Sequence, residues 1–303
     1  ATGCTVVFCR EGAVGGVDVR GGSPGTRETD LLRPTHQVER VNGIVLSGGS
    51  AFGLDAASGV MRYLSKQSVG YAIGNTVVPI VAAAILFDLG LITSDVRPGP
   101  EEGWAACLAA HTGQVEEGSV GAGTGATVAK ARGMKGAIKG GIGSAVLKLP
   151  GGFLVGAIVA VNAYGGVVDH QTGRLIAGPR LESGDGMEDP VELLLSGSDS
   201  SEAPPMTNTT IGVVATDAFL TREQVNRLAA LSHDGLALTI RPCHTMRDGD
   251  TMFALATGRR TAPADATVLG AAVVEATARA VLRAVQTATG LGGVPSIREL
   301  GYG

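Results

Sequence analysis

The stretch His244–Gly258, HTMRDGDTMFALATG, joins a polar turn to an apolar strand. Arg247-Asp248-Gly249-Asp250 has the composition of a tight turn, because Asp accepts local backbone hydrogen bonds and Gly tolerates positive φ. Met252–Ala256 is a short apolar run typical of a core strand, and Thr251 lies at the junction. Taken alone, the segment favours a hairpin turn that feeds a strand, with a β-branched residue at the strand's first position.

The composition of the 303-residue chain is that of a globular protein, with 44% hydrophobic residues, 17% charged residues and a formal net charge of −4. This balance argues against the basic patches that bind nucleic acid or anionic membranes. No apolar run has the length of a membrane span, and no basic segment followed by an apolar stretch marks a secretory signal. We therefore expect a cytoplasmic protein, in which Cys4, Cys9, Cys107 and Cys243 are free thiols.

Apolar runs and helix caps predict groups of strands and helices without the regular alternation of a nucleotide-binding fold. Helices are predicted after Thr221, after Asp265, through Met61 and Leu64, and after the prolines near residue 100. The glycine-rich segment 10–32 is interpreted as a turn and residues 180–209 as an exposed loop. This pattern predicts one α+β domain, a sandwich with helices outside two packed sheets. Strands are predicted at 3–9, 42–47, 143–149, 153–169 and 209–217.

Two glycine-rich motifs invite a chemical interpretation, but each departs from its signature. GAGTGATVAK (121–130) lacks the Lys-Ser/Thr ending of a phosphate-binding loop, and its glycines do not follow the GxGxxG spacing. SGGSAFG (47–53) places Ser50 in the strand–turn–helix setting of a nucleophile elbow without the GxSxG pattern, so a tight turn is favoured. The histidines are scattered, and we expect neither a metal nor a cofactor.

Three further polar residues stand in apolar surroundings: Asn162 at the end of a strand, Lys130 at the end of the glycine-rich motif, and Glu275 on an apolar helix. Locally, each has an ordinary structural explanation. Asn162 fits a turn residue and Lys130 a solvated charge. Glu275 requires either a partner or an exposed position.

Four collinear motifs give the chain a resemblance to a known family. Together they resemble the family of L-aminopeptidase/D-esterases, β-aminopeptidases and nylon-oligomer hydrolases, over nearly the whole chain. The resemblance implies a four-layer α/β/β/α sandwich, similar to N-terminal-nucleophile hydrolases and shared with ornithine acetyltransferase. The motifs are TGCTVVFCREGAVGGVDVRGGSPGTRETDLL (2–32), VLSGGSAFGLDAASGVMRYL (45–64), GAGTGATVAKARGMKGAIKGGIGSA (121–145) and CHTMRDGDTMFALATG (243–258).

The resemblance reverses the local interpretation of the opening stretch. In this family the precursor cuts its own chain before a Ser or Thr that becomes the nucleophile, and the matching bond here is Asp250–Thr251. The 1–303 hydrolase domain would then become a large fragment, 1–250, and a small fragment, 251–303. The freed α-amine of Thr251, with an ordinary pKa of about 7.7–8.0, would act as general base.

The resemblance also implies roles for the other polar residues. Asn162 would offer its amide to an oxyanion or to the amine, Lys130 would lower the pKa of the amine, and Glu275 would orient it. Phe87 stands where better-studied members carry a tyrosine, so one donor hydroxyl would be missing. Expected substrates are small peptides, amides or esters, and the processed protomers are expected to form a homo-oligomer.

Two other functions remain open at this stage. An acyltransferase of the ornithine acetyltransferase type would use a related fold and a self-liberated Thr, and would differ only in its acyl acceptor, an amine in place of water. A non-catalytic member of the fold is the second alternative, motivated by Phe87.

Overall fold

A computed structural model of the chain describes residues 1–183, 186–198 and 207–302. Fifteen strands and six helices follow one another along these residues. The strands are β1 (Cys4–Val19), β2 (Thr26–Arg27), β3 (Arg40–Ser47), β4 (Tyr71–Ile73), β5 (Thr76–Val78), β6 (Val81–Ile85), β7 (Thr127–Val128), β8 (Ile138–Lys139), β9 (Gly141–Lys148), β10 (Leu154–Asn162), β11 (Gly166–Val168), β12 (Leu175–Ala177), β13 (Thr209–Ala218), β14 (Ile240–Arg241) and β15 (Thr251–Arg260). The helices are α1 (Ala56–Lys66), α2 (Pro100–Ala109), α3 (Gly133–Gly136), α4 (Pro190–Leu195), α5 (Arg222–Thr239) and α6 (Ala266–Gln286).

Eight strands form one continuous sheet in the order β2-β6-β3-β1-β15-β13-β10-β9. Most neighbours are antiparallel, but β13 and β15 are parallel, as are β3 and β6. Apolar side chains from the two halves of this order share one buried cluster. Ile44 and Ala82 come from β3 and β6, and Ile211 and Phe253 come from β13 and β15. The two halves of the sheet therefore pack face to face around a common core.

Helices cover the outer surface of each half. Alternate residues of β3 and β6, Val45 and Ala83, point away from the shared core and pack with α1 and α2. On the other half, Met252 and Ala254 of β15 pack with α5 and α6. The layers follow the order helices, sheet, sheet, helices, which confirms the predicted α+β four-layer sandwich.

Strand β1 connects the two halves and corrects one prediction. Residues 10–19, interpreted as part of a glycine-rich turn, continue the strand, because Val14–Val19 pair with β15 after an irregularity between Phe8 and Ala13. Gly16 allows this pairing: a Cβ there would lie 2.7 Å from the backbone nitrogen of Asn226 in α5. Glycine here permits a close approach of helix and strand rather than a turn.

The predicted loop at 180–209 is also partly wrong. Pro190–Leu195 form a helix whose first turn is capped by the carboxylate of Asp189, and Thr209 already belongs to β13. Residues 184–185 and 199–206 of this segment lie outside the described residues. Among the described helices, none is both long and apolar enough to span a membrane.

Candidate active site

Thr251 is the first residue of β15 and lies in the middle of the sheet. It pairs with Val19 of β1 on one side and Ile211 of β13 on the other, and it is fully buried. Its hydroxyl donates a hydrogen bond of 3.1 Å to the carbonyl oxygen of Gly249. The strand thus fixes a buried hydroxyl directly after the Asp250 carbonyl.

Two backbone amides hold that carbonyl. The carbonyl oxygen of Asp250 accepts hydrogen bonds from the N–H groups of Arg20, at 3.0 Å, and Gly21, at 3.2 Å. Both residues follow the end of β1, so the pairing of β1 with β15 brings them to the bond before Thr251. Two N–H donors on one carbonyl oxygen are the arrangement that stabilises a tetrahedral oxyanion.

The side chain of Asp250 is held separately from its carbonyl. One carboxylate oxygen accepts from the N–H of Thr210 at 2.7 Å, and the other accepts from the backbone N–H of His244 at 2.9 Å. The Nδ1 of His244 lies 2.8 Å from the second oxygen. Asp250 therefore has fixed positions for both its main chain and its side chain.

Lys130 and Asn162 meet in a second buried cluster. The Lys130 Nζ donates to the Asn162 side-chain oxygen at 2.9 Å and to the Asn162 carbonyl oxygen at 3.1 Å. Burial lowers the pKa of Lys130 to about 7, against the opposing effect of Asp248 and Asp88. The solvated position favoured by the local sequence is therefore wrong for Lys130, because the segment around it is packed inside the fold.

The amide of Asn162 is fully engaged in the intact chain. Its Nδ2 donates to the carbonyl oxygens of Phe87, at 2.9 Å, and Thr207, at 3.3 Å, and its Oδ1 accepts from the N–H of Thr127 at 3.0 Å. The Nδ2 group of Asn162, which is predicted to donate to an oxyanion, therefore already donates to these two carbonyl oxygens. Before any cleavage, the donors on the Asp250 carbonyl are backbone groups, not Asn162.

The glycine-rich motif 121–130 surrounds a buried ammonium group. Lys139 is completely buried, and its Nζ donates to the carbonyl oxygens of Gly123, Ala126 and Gly140 at 2.8–3.0 Å. Burial lowers the pKa of Lys139 to about 7. A phosphate-binding loop turns its N–H groups inward, whereas this loop turns carbonyl oxygens toward a cation, so the geometry disfavours a phosphate site.

A cavity of about 960 Å³ adjoins the second cluster. Phe87, Asp88, Thr127, Lys130 and Thr207 are among its lining residues, and the wall continues along α3. Thr251 is fully buried in the intact chain and is not among the residues that line the cavity. The volume is that of a site for a small molecule or a short peptide.

Glu275 lies apart from these clusters on α6. Within the described residues, its carboxylate bonds to the His170 Nε2 at 3.1 Å and to the Arg279 Nε at 2.7 Å. The structure thus supplies the partner that an acidic residue on an apolar helix requires. The predicted contact of Glu275 with the freed amine stays a prediction.

Comparison with known proteins assigns the fold and the family. A structure of a Burkholderia β-aminopeptidase aligns with a TM-score of 0.66 at 23% identity, covering 99% of this chain and 84% of that chain. A structure of an L-aminopeptidase D-Ala-esterase/amidase from Ochrobactrum anthropi, described as a variant of the Ntn hydrolase fold, gives a TM-score of 0.65 at 19% identity, covering 97% and 85%. At these identities the likeness establishes the fold.

Sequence relatives are closer. An uncharacterised aminopeptidase of Mycobacterium bovis is 43% identical over 99% of this chain and 90% of its own length. A 6-aminohexanoate-oligomer endohydrolase of Kocuria is 29% identical over 94% of this chain and 81% of its own length. The family model of peptidase family S58 matches residues 1–297. The chain therefore belongs to peptidase family S58, as its resemblance predicts, and is a hydrolase of the aminopeptidase type.

Proposed function

We propose that the chain cuts its own Asp250–Thr251 bond and then hydrolyses an amide substrate with Thr251 as N-terminal nucleophile. The observation that carries this proposal is the pair of backbone N–H groups, from Arg20 and Gly21, on the carbonyl oxygen that precedes a buried Thr hydroxyl. A peptide carbonyl inside a strand ladder ordinarily accepts one such bond. Two donors at this carbonyl suit the charge that develops during attack.

Self-cleavage takes place in two steps. The Thr251 Oγ attacks the carbonyl carbon of Asp250, and the negative charge on the Asp250 oxygen is stabilised by the two amides. The C–N bond then breaks, and the hydroxyl proton passes to the departing nitrogen, which leaves an ester. Water hydrolyses the ester, so that Asp250 gains a carboxylate and Thr251 regains its hydroxyl beside a free amine.

Turnover uses the new amine as base. Because the ordinary pKa of an α-amine is about 7.7–8.0, a large share of this amine is neutral near pH 7.5 and can take the hydroxyl proton as Thr251 attacks a substrate carbonyl. Asn162 pairs with Thr209 of β13, two residues before Ile211, which pairs with Thr251. Lys130 is bonded to Asn162. We assign them to the acyl intermediate: Asn162 donates to the oxyanion, and Lys130 lowers the pKa of the amine when it is charged.

The substrate follows from the family and from the cavity. The relatives include proteins named as aminopeptidases and as a 6-aminohexanoate-oligomer endohydrolase. The cavity of about 960 Å³ beside Lys130 suits a short chain rather than a folded protein. We infer small peptides or amides with a free amino group as substrates, and a homo-oligomer of processed protomers as the active form.

Intact mass and a denaturing gel test the proposal. Purified wild-type protein should replace the 30.5 kDa chain with a 1–250 fragment and a 53-residue fragment that begins TMFAL. Thr251→Ala should remain whole, and Thr251→Ser, which retains a hydroxyl, should still cleave. The processed enzyme should release p-nitroaniline from aminoacyl p-nitroanilides. A wild-type chain that stays whole during prolonged incubation at neutral pH would contradict the assignment of Thr251.

A further inference from the structure

The carboxylate of Asp250 lies in a closed polar site next to the scissile bond. Its side chain is only 2% exposed, and its oxygens face the Thr210 N–H, the His244 N–H and the His244 Nδ1, all within 2.9 Å. A buried carboxylate is costly unless it is paired and hydrogen bonded. His244 provides two of these three contacts, and among the described residues its ring is the basic side chain that pairs with the Asp250 carboxylate.

His244 is itself fixed from two sides. Its backbone has a φ of +56°, a conformation that few non-glycine residues adopt, and its own N–H is bonded to Asp250. On the opposite side its ring packs edge-on against that of His233, with centroids 4.7 Å apart. His233 belongs to α5, and its Nε2 lies 3.0 Å from the Asp18 carbonyl oxygen, so this ring is anchored as well.

The charges around His244 keep its ring protonated. Burial opposes the charged form, but the hydrogen bond to Asp250, with a smaller effect from Cys243, raises the pKa of His244 to about 10. Burial lowers the pKa of His233 to about 4, which leaves that neighbour neutral. Asp248 is the other acidic group of the loop, and burial together with Asp250 raises the pKa of its carboxyl to about 6. On the His233 side, Arg20 is a basic group whose charge also lowers the pKa of His233.

Self-cleavage places a second negative charge on Asp250. The oxyanion forms on the main-chain oxygen of the same residue that carries the carboxylate, and two like charges at this separation disfavour each other strongly in a buried site. An imidazolium bonded to the carboxylate cancels the first charge before the second develops.

We propose that His244 is a positioning residue for self-cleavage, which neutralises the Asp250 carboxylate and holds it away from the reacting carbonyl. This inference rests on the proposed function, because it concerns the same bond. The ring of His244 contacts the side chain of Asp250 and not its carbonyl, so His244 acts through Asp250.

A charge-rescue experiment separates this role from a merely structural one. His244→Asn keeps a residue that tolerates positive φ but removes the cation. In cell-free translation with pulse labelling, its cleavage should be about 10- to 100-fold slower than wild type, because the carboxylate remains uncompensated. Adding Asp250→Asn to this variant removes the carboxylate charge and allows the side-chain amides of residues 244 and 250 to bond to each other. The double variant should therefore recover most of the wild-type cleavage rate. A double variant as slow as His244→Asn, or slower, would overturn the proposal.

A second measurement does not depend on cleavage. Histidine-ring NMR of the intact Thr251→Ala chain should show one imidazole still protonated at pH 8.5, and that signal should be lost in His244→Asn and should titrate at lower pH in Asp250→Asn. His111→Asn, at an exposed histidine, is the matched control and should alter neither signal nor cleavage rate. If every histidine is neutral at pH 8.5, the proposal is wrong even where His244→Asn fails to fold. Failure of the wild type to cleave would instead refute the proposed function.

Discussion

Substitution of Gly21 by alanine tests the backbone donors of the scissile carbonyl. A Cβ on Gly21 would lie 2.2 Å from the backbone nitrogen of Asp250 and 2.4 Å from the carbonyl oxygen of Asp248. Both neighbours are main-chain atoms, so no side chain can rotate away to make room. Ordinary contacts require about 1 Å more, and the two segments must separate by that amount.

The separation has a defined cost for self-cleavage. The hydrogen bond from the Gly21 N–H to the Asp250 oxygen is already 3.2 Å long, and a shift of about 1 Å carries it beyond the range of a hydrogen bond. Removal of one oxyanion donor typically lowers kcat by about 10²–10³, or about 3–4 kcal/mol of transition-state stabilisation. We therefore expect Gly21→Ala to accumulate as intact chain, with cleavage slowed by about two to three orders of magnitude.

The control is Gly156→Ala in β10, where the nearest atoms to an added Cβ lie at 3.7 Å and the chain can accept the methyl group. Cleavage of both variants would be followed by intact mass after synthesis in a cell-free system. Thermal unfolding of the same substitutions in the Thr251→Ala background would measure any loss of stability separately. Cleavage of Gly21→Ala at the rate of Gly156→Ala would refute the role of this amide.

Three further predictions concern Lys130, Asn162 and Glu275, with stabilities measured in the intact Thr251→Ala background. Because burial lowers the folded-state pKa of Lys130 to about 7, the unfolded chain binds more protons than the folded chain between pH 7 and 10.5, and Lys130 contributes a free energy of unfolding that rises with pH in this window. In urea titrations, Lys130→Met should therefore show a smaller increase of the free energy of unfolding with pH. An equal increase in the variant would contradict the burial of the charge. Asn162→Ala leaves several buried partners of the amide unsatisfied and should lower the free energy of unfolding by about 3 kcal/mol, whereas a loss below about 1 kcal/mol would show that water replaces the amide. Glu275→Gln should leave self-cleavage at the wild-type rate, since the Glu275 carboxylate bonds to His170 and Arg279. In the processed enzyme, a lower kcat of this variant would support the predicted contact of Glu275 with the amine, and an equal kcat would exclude that contact.

Local sequence signals predicted the outer helices well, because helix ends are specified by neighbouring residues. Thr221 caps α5 in a reciprocal arrangement with Gln224, and Asp265 caps α6 through the N–H groups of Thr267 and Val268, as their positions before apolar runs predict. The strand 209–217 is predicted to within one residue, since it is an apolar run that follows polar residues. The segment predicted as a strand at 153–169 instead forms two strands, β10 and β11, separated by residues 163–165. The order of the strands in the sheet was not predicted, because it depends on contacts between residues far apart in the sequence.

Contacts made by backbone N–H and carbonyl groups could not be predicted from such local sequence signals. The proposed oxyanion donors are the N–H groups of Arg20 and Gly21, which every residue but proline could supply, and only the long-range pairing of β1 with β15 places them. The burial of Lys139 was missed for a related reason: its partners are carbonyl oxygens contributed by a glycine-rich loop. The contacts of His244 with Asp250, and its burial, likewise depend on the tertiary fold and are not visible in the sequence.

On the proposed mechanism, self-cleavage of the intact chain and turnover by the processed enzyme use different hydrogen-bond donors around Thr251. In the intact chain, the amide of Asn162 is occupied by the carbonyl groups of Phe87 and Thr207, while Arg20 and Gly21 hold the Asp250 carbonyl. On the proposed mechanism, cleavage frees the end of the 1–250 fragment, and Thr251 stays in place because β15 is held between β1 and β13. The new α-amine then stands where an amide nitrogen, which cannot act as a base, stood before. Substitutions at Gly21 should therefore impair self-cleavage more than turnover, and substitutions at Asn162 should do the reverse.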